Sequence, residues 1–229
     1  MRNITLCVVL LVLSGCSCHE NFSAYRYNPF QFVYPEYQLK AEVTEIPSTS
    51  FSTVSGTPID FFGLNAMLPP QWEALAKGKT VKENEVVFKS GKDVVIVSRE
   101  KANLLGCEYS EFREGNKDFC AAFESIEDFY WKLYTLTPEL LSKEKYPTSG
   151  QQWIVHKKGF FFELIERIKI YKGQGVTVYR SDYKPSFRLS TNLIIFHNKL
   201  QPDYLVISTT IKDEATINAL VGCNEKTQR

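Results

Sequence analysis

The chain opens with an apolar run and, from about residue 59, changes to short segments in which apolar and polar residues alternate. Residues 4–13 are almost continuously apolar, whereas a helix that crosses a membrane needs roughly 20 such residues. Alternation over about four to eight residues is typical of half-buried β-strands. The pattern therefore predicts a short leader followed by a folded, strand-rich region.

Paired runs of alternating or β-branched residues predict the strands. Residues 90–93 form a Gly-containing turn between two β-branched runs, which is typical of a hairpin. The predicted strand pairs are 85–89 with 94–98, 168–171 with 176–180, and 193–197 with 204–208. Residues 38–46 alternate loosely and predict one further short strand.

Capping residues mark the helix starts. Ser125 and Asp128 have the spacing of a capping box, and Thr137 before Pro138 is typical of an N-cap followed by a first-turn proline. The predicted helices are about 71–77, 125–134, 137–146, 159–167 and 215–221. Because the predicted strands outnumber the helices and form hairpins, we expect an α+β fold, with an antiparallel sheet built from hairpins and several short helices packed on it.

The residues after the apolar run resemble the lipobox of bacterial lipoproteins. They read Leu13-Ser14-Gly15-Cys16, with Arg2 in front of the run. The resemblance implies cleavage before Cys16, a diacylglycerol on its thiol and a fatty acyl chain on its amine. Together these chains would hold the protein on a membrane for longer than one chain could. The alternative is an ordinary secretory signal that contains a cysteine.

The resemblance also suggests a location and a domain organisation. By analogy with enterobacterial sorting, Ser17 in place of Asp favours the outer membrane over the inner membrane of a bacterial cell envelope. Residues 1–15 are then a lipoprotein signal peptide, 16–58 an aromatic and Ser/Thr-rich tether, and 59–229 a single globular α+β domain. Rings in a tether indicate contact, either with the chain's own domain or with a partner or the lipid interface.

Four cysteines outside the signal peptide and the lipobox predict disulfides in an exported chain. Cys107 and Cys120 are the first choice, because the residues between them are polar and include a glycine. Cys18 then pairs with Cys223, or both stay free. Cys16, Cys18 and His19 together suggest metal ligands. The chain lacks a Cys-x-x-Cys pair, however, and acylation would consume Cys16, so we expect no metal or other cofactor.

Charge and motifs exclude several functions. The 27 Lys and Arg residues nearly balance the 26 Asp and Glu residues, so no basic surface is expected for nucleic acid. The Gly-x-Ser-x-Gly motif of a nucleophile elbow does not occur. His156, beside two lysines that would lower its pKa, and His197, at a strand end, are the candidate general bases. Glu163 and Glu166 are expected on one helix face.

These observations favour a membrane-anchored envelope lipoprotein with a non-catalytic binding or accessory domain, and an envelope protein as partner. One alternative is a lipid-anchored envelope hydrolase that uses His156 or His197. Another is a carrier of an apolar ligand, since rings make up 14% of the chain. The stretch from Leu68 to Trp72, the early hairpin and the closing helix also resemble the topology of PsbP-like sandwiches, which identifies no site residue.

Overall fold

The computed structural model describes residues 35–46, 57–68, 71–75, 83–103, 107 and 117–221 of the 229-residue chain. Within these ranges the strands are β1 Glu42–Glu45, β2 Thr57–Phe61, β3 Leu64–Leu68, β4 Glu73–Ala74, β5 Glu85–Ser90, β6 Asp93–Glu100, β7 Ile165–Gly173, β8 Val176–Tyr183, β9 Thr191–His197 and β10 Tyr204–Thr209. The helices are α1 Pro35–Gln38, α2 Lys117–Ala121, α3 Ile126–Thr135, α4 Pro138–Lys143, α5 Ser149–Phe162 and α6 Glu214–Val221.

Eight of these strands form one mixed sheet, in the order β1-β7-β8-β9-β10-β6-β5-β4, and β2 pairs with β3 in a second sheet. β1 runs parallel to β7, whereas the other neighbouring strands are antiparallel. The predicted pairs β5–β6, β7–β8 and β9–β10 are hydrogen-bonded neighbours. The predicted α+β fold with a mainly antiparallel sheet is therefore confirmed.

Both faces of the large sheet are covered, so the core has two layers. Along β9, Ile194 and Phe196 belong to the layer that α3 and α5 cover, whereas Leu193 and Ile195 belong to the layer under α6 and the β2–β3 hairpin. This division follows from the two-residue period of a strand. The sequence predicts helices on the sheet, but it does not predict that a hairpin shares in covering the second face.

Aromatic rings fill the space between α3 and the sheet. The ring of Tyr130 lies 5.9 Å, between centroids, from both Tyr179 and Phe196. Phe196 in turn stacks on Tyr204 at 4.9 Å. Such pairs contribute about 0.5–1.5 kcal/mol beyond the burial of their area. These rings therefore pack on one another and form part of the core.

Side-chain caps fix the starts of α3 and α4. Ser125 Oγ accepts a hydrogen bond from the Asp128 amide at 3.1 Å, and Asp128 Oδ2 accepts one from the Glu124 amide at 3.1 Å. Thr137 Oγ1 accepts one from the Leu140 amide at 3.3 Å. Both predicted helix starts are confirmed. The return bond of the first cap goes one residue further upstream than in a capping box.

The predicted helix 159–167 is wrong at both ends. The helix α5 starts after Thr148, which forms a capping box with Gln151: the two amide-to-side-chain distances are 2.9 and 3.1 Å. It ends at Phe162 because the chain pairs with β8 from residue 165 onward. Glu163 therefore caps the helix and Glu166 lies in β7, so the two carboxylates do not share a helix face.

The predicted helix 71–77 is also wrong. Residues 73–74 form the short edge strand β4, in which Glu73 lies opposite Lys89 of β5. The Leu75 amide continues this pairing with a hydrogen bond to the Val87 carbonyl at 2.8 Å. An edge strand needs only one neighbour, and β5 supplies the backbone partners that a helix would otherwise have formed internally.

Residues 35–46, which lie within the segment interpreted as a tether, pack on the domain. The Ala41 amide donates to the Tyr134 carbonyl at 3.0 Å, and Ala41 is buried. The short strand predicted here is β1, and its Val43 lies opposite Ile170 of β7. The contact with the chain's own domain that the rings suggest is thus present for Tyr37, whose ring packs against Gly159 of α5.

Among the described helices, none is long and apolar enough to cross a bilayer.

Candidate functional site

A cleft of about 710 Å³ opens at one end of the large sheet. The turns that follow β7 and β9 form two of its walls, and the start of α3 forms another. Clefts of about 300–1,000 Å³ are typical of small-molecule sites. We therefore take this cleft as the candidate functional site.

The two turns are held together by close backbone contact. Gly175 has a φ of +72°, which a β-carbon would strain. Its carbonyl accepts a hydrogen bond from the Asn198 amide at 3.0 Å. A β-carbon on Gly175 would also lie 2.5 Å from Asn198 Nδ2. Glycine at this position therefore allows the two turns to meet, and their contact fixes this side of the cleft.

His197 lies in the wall of this cleft and is largely buried. It is the last residue of β9 and lies opposite Val176 of β8. Its Nδ1 accepts a hydrogen bond from the Lys199 amide at 3.0 Å. A neutral imidazole with Nδ1 as acceptor carries its proton on Nε2. In this tautomer the Nε2 side of the ring can donate a hydrogen bond but does not act as a base.

Two charged groups of the cleft lining make contacts within the protein. The Lys172 ammonium lies 3.9 Å from the centre of the Trp131 ring, a cation–π contact. Asp203 accepts a hydrogen bond from Arg99 Nε at 2.8 Å. Ser125 Oγ already caps α3. The cleft therefore presents both signs of charge, and neither dominates.

His156 lies elsewhere, on the exposed side of α5, and is not among the residues that line the cleft. Partial burial lowers the pKa of its imidazole, and repulsion from Lys157 adds to this effect. The predicted direction of the shift is confirmed, but desolvation is the larger cause. The structure thus does not bring the two candidate histidines into one site.

Lys158 is a buried titratable group that sequence reasoning missed. Its ammonium donates to the Leu136 carbonyl at 2.7 Å and lies 5.6 Å from the Phe162 ring centre. Burial lowers the pKa of Lys158 to about 7. Lys157 and Lys158 look alike in the sequence. They differ in the structure because the start of α5 at residue 149 determines which side of the helix each lysine occupies, and Lys158 faces the core. The sequence pattern does not identify this helix start.

A second group of charges, also missed, surrounds Arg180 near the start of α6. The buried guanidinium of Arg180 donates to Asp182 at 2.8 Å, to both carboxylate oxygens of Glu214 at 2.7 Å, and to Tyr171 Oη at 3.3 Å. Burial alone would lower the pKa of Arg180, but the bonds to Glu214 and Asp182 outweigh it and raise the pKa. This cluster joins α6 to the sheet. A shallow depression of about 190 Å³ lies over it.

The predicted Cys107–Cys120 disulfide is present, with a Cα–Cα distance of 5.8 Å. Cys16, Cys18 and Cys223 lie outside the described residues, so the lipid site and the second pair stay predictions. In the part of the chain that the structure describes, no three His, Cys, Asp or Glu side chains form a group that could hold a metal ion.

Comparison with known proteins gives no relative: no protein-family model matches the chain, and neither the curated proteins nor the solved structures contain a significant match.

Proposed function

We propose that this protein is a lipid-anchored envelope protein whose domain binds a polar ligand in the cleft without chemically changing it. The observation that carries the proposal is the cleft of about 710 Å³ in which His197 and Ser125 already have structural roles. His197 accepts a backbone hydrogen bond through Nδ1, and Ser125 caps α3. These groups leave a shaped, mixed-polarity surface suited to recognition.

The lipobox supports the anchoring part of the proposal. Leu13-Ser14-Gly15-Cys16 follows an apolar run that is too short to span a bilayer. A diacylglycerol on Cys16 would hold the domain on a membrane, with the outer membrane of a bacterial envelope favoured by Ser17. The expected partner is another protein of the envelope, which would bind to the same domain.

The lining of the cleft suits a small polar ligand that also has an apolar part, because Ile126, Val176, Phe196 and Pro202 lie among its polar residues. Side-chain amides of Asn198 and Gln201 and the imidazole of His197 supply donors, and the carboxylates of Glu127 and Asp203 supply acceptors. A ligand that carries both donors and acceptors fits this lining better than a hydrocarbon chain. Of the aromatic rings that made an apolar carrier attractive, Tyr130 and Tyr204 pack against Phe196 in the core, and Phe196 itself also lines the cleft.

The hydrolase is the second candidate, because the structure brings one predicted histidine into the cleft. The Nδ1 contact with the Lys199 amide argues against His197 as a general base. Replacing His197 with Gln separates the two functions. Loss of ligand binding alone fits the binding module, whereas loss of a measured hydrolysis with intact binding would contradict it.

Intact-mass analysis of the membrane-extracted protein, followed by native mass spectrometry of the same sample, tests the proposal. We expect a chain that starts at Cys16, carries a diacylglycerol-sized addition and retains a small polar molecule. Thr177→Trp, which places an indole in the cleft, should remove the bound molecule. Thr44→Trp on β1, outside the cleft lining, is the control. Equal occupancy in both variants would overturn the assignment of the cleft, and an unmodified chain would overturn the anchor.

A further inference from the structure

Three exposed apolar side chains lie within five residues at the end of α5. Phe160 is 71% exposed, Phe161 47% and Leu164 43%. Single exposed apolar residues are ordinary on protein surfaces, but a group of them marks a surface that contacts a partner or a membrane. We call these three residues the aromatic patch.

The patch lies beside the point where residues 1–34 join the described domain. The helix α1 begins at residue 35, and its Glu36 accepts a hydrogen bond from Lys184 Nζ at 3.1 Å. The same ammonium donates to the carbonyl of Glu163, the residue between Phe162 and Leu164, at 2.6 Å. The Lys184 amide donates to the Leu164 carbonyl at 2.8 Å. One lysine therefore links the start of the described chain to the patch.

The composition of the patch suits the interface between lipid and water. Lys157 Nζ lies 5.2 Å from the ring centre of Phe160. Lysine can extend its ammonium to the headgroups while its methylenes and a neighbouring ring stay in the apolar layer. Burial of the three apolar side chains in the acyl boundary would add to the binding energy of the lipid anchor.

We propose that the aromatic patch inserts into the interface of the membrane that holds the Cys16 lipid; this rests on the proposed anchor. Cys16 and Pro35 are 19 positions apart, a span of at most about 65 Å for an extended chain. The bilayer surface thus stays within reach of the patch, and the tether makes their encounter intramolecular. The anchored domain lies on the membrane through this patch.

The experiment compares two tryptophan substitutions in the full, lipid-carrying chain, reconstituted into phosphatidylcholine vesicles with brominated acyl chains. Phe160→Trp reports on the patch, and Tyr146→Trp is the matched control. Tyr146 is 80% exposed, and its ring lies 5.2 Å from the Lys145 ammonium. It precedes α5, so residues 149–159 of that helix separate it from the patch. The fluorescence of each variant is compared with that of the parent chain, because the three native tryptophans emit in every sample.

We expect the bromolipid to quench most of the emission that Phe160→Trp adds and to leave the emission added by Tyr146→Trp unchanged. Equal quenching at the two positions, or no quenching at position 160 in protein that sediments with the vesicles, would overturn the insertion of the patch. Either result would leave the proposed lipid anchor intact. A chain that carries no lipid and stays in the supernatant would overturn both proposals.

A further variant tests whether protein, and not lipid, covers the patch. It carries Phe160→Trp in a chain made without residues 1–16, so that neither the apolar leader nor the lipid is present, and it is measured without vesicles. We expect iodide to quench the introduced tryptophan, since the patch is exposed in the domain itself. Shielding of that tryptophan from iodide would show that protein covers the patch, which also overturns the insertion.

Discussion

The ammonium of Lys158 lies 2.7 Å from the carbonyl oxygen of Leu136, the residue that caps the end of α3. This contact joins α5 to the end of another helix inside the core. It satisfies a carbonyl that the last turn of a helix leaves without an intrahelical donor. Because the contact is buried, it makes the stability of the domain sensitive to the protonation of one amine.

Stability should rise with pH between 7 and 9, and Lys158→Met should reduce this rise. The pKa of Lys158 is lowered to about 7 from an ordinary value of 10.5. The unfolded chain therefore binds more protons in this window, and the free energy of unfolding increases by at most about 1.4 kcal/mol per pH unit. Below pH 7 the full cost of the buried charge is present.

Urea unfolding at pH 7 and pH 9 measures this change. Lys157→Met is the control, since Lys157 lies next to Lys158 in the sequence but its ammonium lies over the exposed ring of Phe160. An unaltered pH dependence in Lys158→Met would show that the amine titrates normally in the fold.

Glu214→Gln should destabilise the domain at pH 7, by about 1–2 kcal/mol, because it removes the carboxylate charge that faces the buried Arg180; the loss is smaller than for a fully buried pair because the Glu214 side chain is 49% exposed. The hydrogen bond to Arg180 lowers the pKa of Glu214 below its ordinary 4.5. The pair therefore contributes stability above pH 4.5 that is lost as the pH falls through the lowered value. Glu214→Gln should lose less stability on acidification than the parent.

Glu139→Gln is the matched control for that substitution. Glu139 also accepts a lysine hydrogen bond at 2.7 Å, but both partners are exposed, and such pairs contribute little. Thermal unfolding at pH 7 and pH 3.5 compares the variants. Equal effects of the two substitutions would contradict a structural role for the buried charge cluster.

Gly175→Ala should destabilise the domain by about 1–2 kcal/mol, because it strains a left-handed residue and places a β-carbon against Asn198. Gly91→Ala provides the comparison: Gly91 has a φ of +58° but nothing within 4 Å of its β-carbon position. Gly91→Ala should lower the free energy of unfolding by about 1 kcal/mol, through backbone strain alone. Adding Asn198→Ala should rescue part of the loss at Gly175 and none at Gly91.

Reduction of the Cys107–Cys120 disulfide should lower the free energy of unfolding by about 3 kcal/mol, because the unfolded chain regains the conformational entropy that closing a loop of this size removes. Unfolding of the parent with and without reductant measures the effect. The Cys107→Ser, Cys120→Ser double variant should be insensitive to reductant, provided that Cys18 and Cys223 form no second bridge. Equal stability of the parent chain with and without reductant would show that the disulfide does not stabilise the domain.

Cys16→Ser should abolish incorporation of labelled fatty acid and leave the unprocessed precursor. The physical reason is that a hydroxyl does not replace the thiol in the thioether. Labelling in cells followed by electrophoresis checks this result, and Ser17→Ala, one position further, should be labelled like the parent. Normal labelling of Cys16→Ser would make the lipobox resemblance wrong.

The sequence predicts those elements whose signals are local. Alternation locates the hairpins, and hydroxyl caps at Ser125 and Thr137 locate two helix starts. The helix predicted over 71–77 fails because β5 pairs with residues 73–74 from a distance in the chain. The inward position of Lys158 depends on a helix start at residue 149 that was not identified.

The candidate site was predicted in part. The sequence indicates His197 as a candidate at the end of a strand, and this histidine lines the cleft. The contact between Gly175 and Asn198 requires two turns more than twenty residues apart to meet, and the cluster around Arg180 draws on β7, β8 and α6. Such arrangements depend on strand order, which a single sequence does not specify.

The strand β7 gives the domain a long axis with two different ends. Ile165 lies near the junction with residues 1–34, and Gly173, the last residue of the same strand, borders the cleft. At 3.3 Å per residue these ends are about 26 Å apart. If the domain is held at the Ile165 end, the opening of the cleft lies one strand length away from the point of attachment. In the proposed attachment through the aromatic patch, a small ligand can then reach the opening from the aqueous side, away from the membrane.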